Sequence, residues 1–314
     1  MFEKLFKAAP AAIIIAALAL MLMLGRNILD DRLPVIGGNY YKDFKSDCEL
    51  EYKYSQMGPH DVDSYEKESG EETGGTVTVW YPKDMGDEKV PMIIVANPSQ
   101  VKQSQYKAFF SRLASWGFVV VGNEDPQSGN GVSTAYTLKE MMELVETHPL
   151  REVIDYDRIG VVGYSQGGAG ALAAASDEAG LENGKEFKAI FTGSAIEKSI
   201  ADSYGWKYDL SKIKIPYFMV AGTGEKDSGT KDEQGLAPFN FLMDSYDALG
   251  EDITKIRARA TGADHSDMML KSDGYMTAWM LWQLSGDEEA AKAFKGTDAE
   301  ILNNSNWQDV EKSE

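Results

Sequence analysis

The feature that most constrains the fold of this chain is the alternation of short apolar runs with helical stretches from Thr76 onward. Continuous apolar runs such as Ile93–Val95 and Phe118–Val121 are typical of strands that are buried on both faces. Strands that alternate with helices predict an α/β fold with a doubly wound, mostly parallel sheet. Strands are predicted at 76–81, 91–96, 118–122, 158–163, 188–192, 216–221 and 255–260, and helices at 103–116, 134–147, 165–175, 237–249 and 273–284.

The chain is predicted to consist of a membrane segment, a linking region and one folded domain. Residues 27–73 contain a glycine pair and an acidic stretch, which predict a tether and a lead-in region. Residues 74–314 hold all the predicted strands and helices and contain no internal repeat. We therefore expect these residues to form one α/β domain.

The first 26 residues have the pattern of a membrane segment. Lys4 and Lys7 precede an apolar run over residues 8–25, and Arg26 follows it. Eighteen residues in a helix cover about 27 Å, which is close to the hydrocarbon thickness of a bilayer. The run predicts one N-terminal transmembrane helix, and the leading lysines predict that the remaining chain is extracytoplasmic. Secretion after signal cleavage is the alternative, although residues 23–27 lack the small-residue site that cleavage requires.

The charge and the cysteine content argue against nucleic acid binding, a disulfide and a cysteine metal cluster. The 31 basic and 50 acidic residues give a formal net charge of −19, which repels phosphate backbones. Nucleic acid is therefore not expected as a partner. Cys48 is the only cysteine, so an intramolecular disulfide and a cysteine metal cluster are both excluded.

A G-x-S-x-G sequence over residues 163–167 carries the first candidate for chemistry. It follows the apolar strand pattern 158–163 and precedes a stretch of small residues that is predicted to be helical. The resulting strand, sharp turn and helix expose the hydroxyl of Ser165 and direct helix N–H groups towards it. Ser165 is therefore the predicted nucleophile.

A serine nucleophile requires a base, and the base is oriented by an acid. His265 is the only histidine after Ser165, and it lies in the loop that follows the predicted strand 255–260. The acid is expected between these two residues, just beyond a strand. Asp227 follows the predicted strand 216–221 and is the predicted acid, with Glu225 as the alternative.

The negative oxygen that develops during acyl transfer requires two fixed hydrogen-bond donors. The backbone N–H of Gln166, directly after the nucleophile, is one predicted donor. The second is expected from the loop after the strand that ends at Ala96. Ser99 is the predicted residue, and Gln100 is the alternative.

These motifs resemble the α/β-hydrolase superfamily, and within it the cutinase-like polyester hydrolases and the dienelactone-hydrolase-type esterases. The resemblance extends over about residues 76–284 and includes the serine turn, the acid loop 224–227 and the histidine loop 262–265. It implies the α/β-hydrolase fold for the domain at 74–314 and a catalytic role for that domain.

One part of the sequence departs from that family. In the resembled branch the residue after a Pro-Gly pair donates the second oxyanion N–H, whereas Asn97-Pro98 precedes the corresponding Ser99 here. The aromatic residue usually found there is also absent, so cleavage of polyesters is not carried over. An aromatic cluster between the predicted strands 188–192 and 216–221 is either a substrate wall or ordinary packing, and its members are Tyr204, Trp206 and Tyr208.

The predicted function is hydrolysis of carboxylic esters through a covalent acyl-enzyme on Ser165. This chemistry requires neither a metal nor an organic cofactor, and the partner is a small-molecule or polymeric ester. Amide hydrolysis or acyl transfer at the cell surface are alternatives that use the same residues. A catalytically silent binding module is the alternative from a different class.

Overall fold

Strands form where the sequence has its apolar runs, and two further strands extend the sheet at its edges. The computed structural model describes residues 35–84, 86, 88–144 and 149–313. The strands are β1 (Val62–Glu68), β2 (Thr76–Pro82), β3 (Val90–Ala96), β4 (Val119–Asn123), β5 (Ile154–Tyr164), β6 (Phe187–Gly193), β7 (Tyr217–Gly222), β8 (Lys255–Ala260) and β9 (Trp307–Lys312).

All nine strands belong to one sheet, in the order β1-β2-β4-β3-β5-β6-β7-β8-β9. Strands β3 to β8 pair in parallel with one another. The β1–β2, β2–β4 and β8–β9 pairs are antiparallel. The predicted mostly parallel sheet is therefore confirmed, and the order places the carboxyl ends of β5, β6, β7 and β8 side by side.

The sequence pattern predicted the seven central strands but not the two edge strands β1 and β9. The reason is physical, because β1 reads Val-Asp-Ser-Tyr-Glu-Lys-Glu and alternates between half-buried and exposed positions. An edge strand that is covered on one face needs no continuous apolar run. Strand β1 pairs along its whole length with β2, so the residues from Val62 to Glu68 are part of the sheet.

Helices occupy the predicted segments, and shorter helices occur between them. The short ones have four to seven residues, which is too few for a helical periodicity to be recognised in the sequence. The helices are α1 (Glu49–Ser55), α2 (Lys107–Ala114), α3 (Val132–Leu144), α4 (Gln166–Ala175), α5 (Lys198–Ser203), α6 (Glu225–Ser228), α7 (Phe239–Ala248), α8 (Met268–Lys271), α9 (Asp273–Ser285), α10 (Glu288–Ala291) and α11 (Glu300–Asn303).

The sheet separates two hydrophobic cores. Alternate residues of β3 point to opposite faces, so Ile93 and Val95 belong to one core whereas Met92 and Ile94 belong to the other. Helices α2 and α9 cover the first face, and helices α3, α4 and α7 cover the second. This two-sided burial is the reason that the central strands read as continuous apolar runs.

The region before β1 is attached to the helical layer by a buried ion pair. Helix α1 packs against α9. The guanidinium of Arg112 in α2 donates to the carboxylate of Asp273 in α9 and, over 2.7 Å, to the backbone oxygen of Tyr54 in α1. The side chains of Arg112 and Asp273 are almost completely buried. These contacts hold α1, α2 and α9 together.

The predicted membrane helix within residues 1–26 lies outside the described residues. In the part of the chain that the structure does describe, no helix combines the length and the apolar character that crossing a bilayer requires. The membrane anchor is therefore still a prediction.

Candidate active site

Ser165 stands at the sharp turn between β5 and α4. Its backbone has φ 56° and ψ −126°, a conformation that residues with a side chain rarely adopt. Small neighbours make this turn possible, because a Cβ on Gly163 would lie 2.1 Å from the oxygen of Gly167. A Cβ on Gly167 would lie 2.2 Å from the oxygen of Ala96 at the end of β3. The spacing of the G-x-S-x-G sequence therefore follows from backbone contacts on both sides of the serine.

His265 reaches this serine from the loop after β8. It begins a short 3₁₀ turn whose first N–H groups are capped by the carboxylate of Asp264. The imidazole Nε2 of His265 lies 2.8 Å from Oγ of Ser165, although the two residues are 100 positions apart in the chain. The structure thus brings the predicted nucleophile and the predicted base into hydrogen-bond contact.

Asp227 contacts the other nitrogen of the same imidazole. It lies in the short helix α6 after β7, and its Oδ1 is 2.6 Å from Nδ1 of His265. Its side chain is completely buried, whereas the alternative Glu225 is exposed to solvent. The structure therefore brings Asp227, and not Glu225, to the imidazole.

Ser194 is a further member of this cluster that the sequence analysis did not identify. Its hydroxyl donates a hydrogen bond to Oδ2 of Asp227, and the backbone N–H of Gly222 donates to the same oxygen over 2.6 Å. The residue is buried and follows β6 directly, with φ 47°. In the sheet, β6 lies between β5 and β7, so its carboxyl end lies beside the site, whereas the sequence shows only that Ser194 comes just after a predicted strand.

The loop after β3 faces Ser165 and contains both candidates for the second oxyanion donor. The N–H of Gln100 donates to the backbone oxygen of Pro126 over 3.0 Å. Within the described residues, the N–H groups of Ser99 and Gln166 have no hydrogen-bond acceptor. The side-chain amide of Gln166 lies 3.1 Å from Oγ of Ser99 and spans the two segments.

Asn97, which departs from the family pattern, is a structural residue of this loop. Its side-chain nitrogen donates to the backbone oxygens of Asn123 and Asp125 over 2.9 and 2.8 Å. Its side-chain oxygen accepts a hydrogen bond from the hydroxyl of Tyr106, and all of Asn97 is buried. Asn97 therefore holds the loop after β3 through hydrogen bonds to the end of β4, to the segment after it and to Tyr106.

A cleft of about 360 Å³ opens beside Ser165 and His265. Burial raises the pKa of Tyr106 and of Tyr164, so both phenols at its base stay neutral at physiological pH. Its walls are mostly apolar, which suits an uncharged organic group. The residues that line the cleft are Val35, Ile36, Pro98, Ser99, Val101, Tyr106, Tyr164, Ser165, His265, Ser266, Met269 and Leu270.

The aromatic cluster divides into a packed residue and an exposed pair. Tyr208 is buried, and its hydroxyl donates to the backbone oxygen of Ile196 over 3.0 Å. Tyr204 and Trp206 stack with 4.8 Å between their ring centroids, and Tyr204 is 68% exposed. Trp206 packs over Gly129, and neither Tyr204 nor Trp206 lines the cleft described above.

Metal-binding residues were not predicted from the sequence. In the described ranges, no group of three or more histidine, cysteine, aspartate or glutamate side chains could hold a metal ion. The prediction that the reaction uses no cofactor is not tested by this observation.

Comparison with known proteins identifies the family of this chain. Residues 50–305 match the family described as PETase, PET hydrolase-like. A bis(hydroxyethyl) terephthalate hydrolase of Streptomyces coelicolor is 31% identical over 131 residues, which is 40% of this chain. The chain spans only 41% of the length of that relative. The family match covers most of the chain and confirms the predicted resemblance to cutinase-like polyester hydrolases. The protein therefore belongs to the PET hydrolase-like family of ester hydrolases.

Proposed function

We propose that this protein hydrolyses carboxylic esters through a covalent acyl-enzyme on Ser165, with His265 as general base and Asp227 as the orienting acid. The observation that carries the proposal is the pair of hydrogen bonds of 2.8 and 2.6 Å that link Oγ of Ser165, the imidazole and the buried carboxylate. This connectivity is that of a serine hydrolase triad. Family membership supports the same reaction class.

In the first half of the reaction, Oγ of Ser165 forms a bond to the ester carbonyl carbon while its proton moves to Nε2 of His265. The carbonyl oxygen becomes negatively charged in the tetrahedral intermediate. Collapse of this intermediate breaks the bond to the alcohol oxygen, which leaves with the proton from Nε2. The products of this half are the alcohol and an acyl group on Ser165.

In the second half, a water molecule gives a proton to His265 and attacks the acyl carbon. The carboxylic acid is released when the proton returns from Nε2 to Oγ of Ser165. Asp227 keeps Nδ1 protonated through both halves and stabilises the imidazolium that forms twice in each cycle.

The N–H groups of Ser99 and Gln166 are the proposed donors to the tetrahedral oxyanion. Neither N–H has a protein acceptor in the described part of the chain, whereas the N–H of Gln100 donates to the backbone oxygen of Pro126. Preformed N–H donors need no reorganisation during the reaction, and each one contributes about 10²- to 10³-fold to turnover.

The substrate class that the cleft supports is an ester with an uncharged, apolar group. Aromatic and aliphatic side chains dominate the walls, and the volume of about 360 Å³ suits a small organic group. The relative from Streptomyces coelicolor is named for an aromatic diester, bis(hydroxyethyl) terephthalate. We include this compound among the proposed substrates.

The direct test combines covalent labelling with turnover. A fluorophosphonate should modify the wild-type protein at Ser165 and abolish hydrolysis of p-nitrophenyl esters. Ser165→Ala should escape labelling and lose activity, while Ser203→Ala, a change at an exposed serine, should behave as wild type. Efficient hydrolysis by the Ser165 variant would refute the mechanism, and a folded wild-type protein without labelling would favour a silent binding module.

A further inference from the structure

Residues 35–40, here called the N-terminal strap, precede α1 and contribute to the active-site cleft. Val35 and Ile36 both line the cleft that contains Ser165 and His265. Ile36 is 8% exposed and belongs to a hydrophobic core, whereas Val35 is 60% exposed at the mouth of the cleft. The distance along the chain from these residues to Ser165 exceeds 120 positions, so nothing in the sequence pattern joined them to the site.

The strap is attached at both of its ends. At its start, the backbone N–H of Val35 donates to the oxygen of Gln105 over 2.7 Å. At its end, the hydroxyl of Tyr40 donates to Oδ2 of Asp273 over 2.7 Å and accepts from Nε of Arg112 over 2.9 Å. Because Arg112 and Asp273 are themselves buried and paired, this second attachment reaches into the interior. Val35 and Ile36 therefore have defined positions beside the cleft.

The surfaces that share the cleft with the strap are also apolar. Val101 lies in the loop after β3, and Met269 and Leu270 lie in α8, directly after the histidine loop. An ester that places Oγ of Ser165 at its carbonyl carbon must direct one of its two substituents into this cleft or along its wall. Each methylene group that such a substituent buries should raise the affinity about fourfold.

We propose that Val35 and Ile36 determine the size of the apolar ester substituent that this enzyme accepts. The proposal rests on the hydrolase function proposed above and assigns a specificity-determining role to a segment outside the catalytic loops. A smaller residue at position 35 enlarges the cleft mouth, and a larger residue narrows it. The strap thereby acts through fit to the substrate and leaves the hydrogen bonds at Ser165 unchanged.

The experiment compares wild type, Val35→Ala and Val35→Phe on two graded series of esters. One series varies the acyl chain of p-nitrophenyl esters, and the other varies the alcohol of acetate esters. In the series whose varied group enters the cleft, Val35→Ala should move the optimum of kcat/KM to larger groups and Val35→Phe to smaller ones. We expect kcat/KM to fall about fourfold for each substrate methylene group that is no longer buried against the strap. The series that responds identifies the substituent that occupies the cleft.

Val35 is suitable for this test because it is largely exposed, so its replacement perturbs folding little. Ile36→Val is the third strap variant, and it shortens the side chain by one methylene group while it leaves the core nearly filled. Leu302→Ala is the matched control, because Leu302 is a 42% exposed aliphatic residue that does not line the cleft. Its size profile should coincide with that of wild type.

The two levels of the proposal fail in different ways. If wild type is labelled at Ser165 and active, but all three strap variants keep the wild-type optimum in both series, the strap does not determine specificity. If Ser165→Ala retains turnover, the hydrolase mechanism itself is wrong. Opposite shifts of the optimum in Val35→Ala and Val35→Phe would support the specificity role.

Discussion

The hydroxyl of Ser194 donates to Oδ2 of Asp227, while Oδ1 of the same carboxylate faces Nδ1 of His265 at 2.6 Å. Gly222 supplies a second donor to Oδ2 from its backbone N–H. A fully buried carboxylate requires such partners, because an unsatisfied ionised oxygen is strongly unfavourable in the protein interior. The two donors also hold the carboxylate that contacts the imidazole of His265.

We expect removal of the Ser194 hydroxyl to lower both stability and turnover. Ser194→Gly is the informative variant, because glycine accepts the φ of 47° without strain. Loss of a hydrogen bond to a buried charge should lower the free energy of unfolding by about 1–3 kcal/mol. A looser carboxylate should also lower kcat, with KM nearly unchanged, as measured with a p-nitrophenyl ester. Unchanged kcat in a variant of reduced stability would limit Ser194 to a structural role.

The assignment of the acid predicts very different effects for two neighbouring carboxylates. Asp227→Asn should lower turnover by about 10⁴-fold, because the amide favours the wrong imidazole tautomer and no longer stabilises the imidazolium. Glu225→Gln is the matched control at an exposed position of the same short helix, and it should retain most of the activity. Steady-state kinetics on purified variants of equal thermal stability decide the question. The reverse result would require Glu225 to be the acid.

The buried carboxyl group of Asp273 should make the free energy of unfolding depend on pH, independently of catalysis. Burial raises its pKa to about 6, although the adjacent Arg112 acts in the opposite direction. In the unfolded chain the pKa of an aspartate is about 3.9, so the folded protein binds this proton more tightly. The stability that this group contributes is therefore fully present below about pH 4 and is lost as the pH rises to about 6.

Urea unfolding of wild type and Asp273→Asn between pH 4 and 7 tests this expectation. The asparagine variant lacks the titrating carboxyl group, so its free energy of unfolding should not change with pH through this position. The difference in unfolding free energy between the two proteins should change by about 1 kcal/mol per pH unit inside the window and level off above it. Parallel curves across the whole range would contradict the raised pKa.

The apolar run over residues 8–25 predicts that the full-length chain sediments with membranes. Protease added to intact cells should release the catalytic part, because the basic residues before the run orient it outward. A variant that begins at residue 27 should be found in the soluble fraction with unchanged kcat/KM on a soluble ester. A natural product that starts shortly after residue 26 would instead indicate a cleaved signal peptide and secretion.

The sequence by itself was sufficient for the central sheet and for the principal candidates of the site. Apolar runs such as Ile93–Val95 reflect burial on both faces, and burial is a property that local composition records directly. The approach of Ser165, Asp227 and His265 could be anticipated from chain order, because each follows a strand and the carboxyl ends of parallel strands share one edge. The small residues on both sides of Ser165 predicted the sharp turn at this position.

Only the tertiary structure distinguished residues that are equivalent in local pattern. Asp227 and Glu225 are two carboxylates in one loop, and the direction in which each points depends on packing against β6 and the histidine loop. The hydroxyl of Ser194 and the strap residues Val35 and Ile36 likewise meet the site through contacts between distant segments. Such contacts depend on how the chain returns to the sheet edge, and periodicity within a short window carries no information about them.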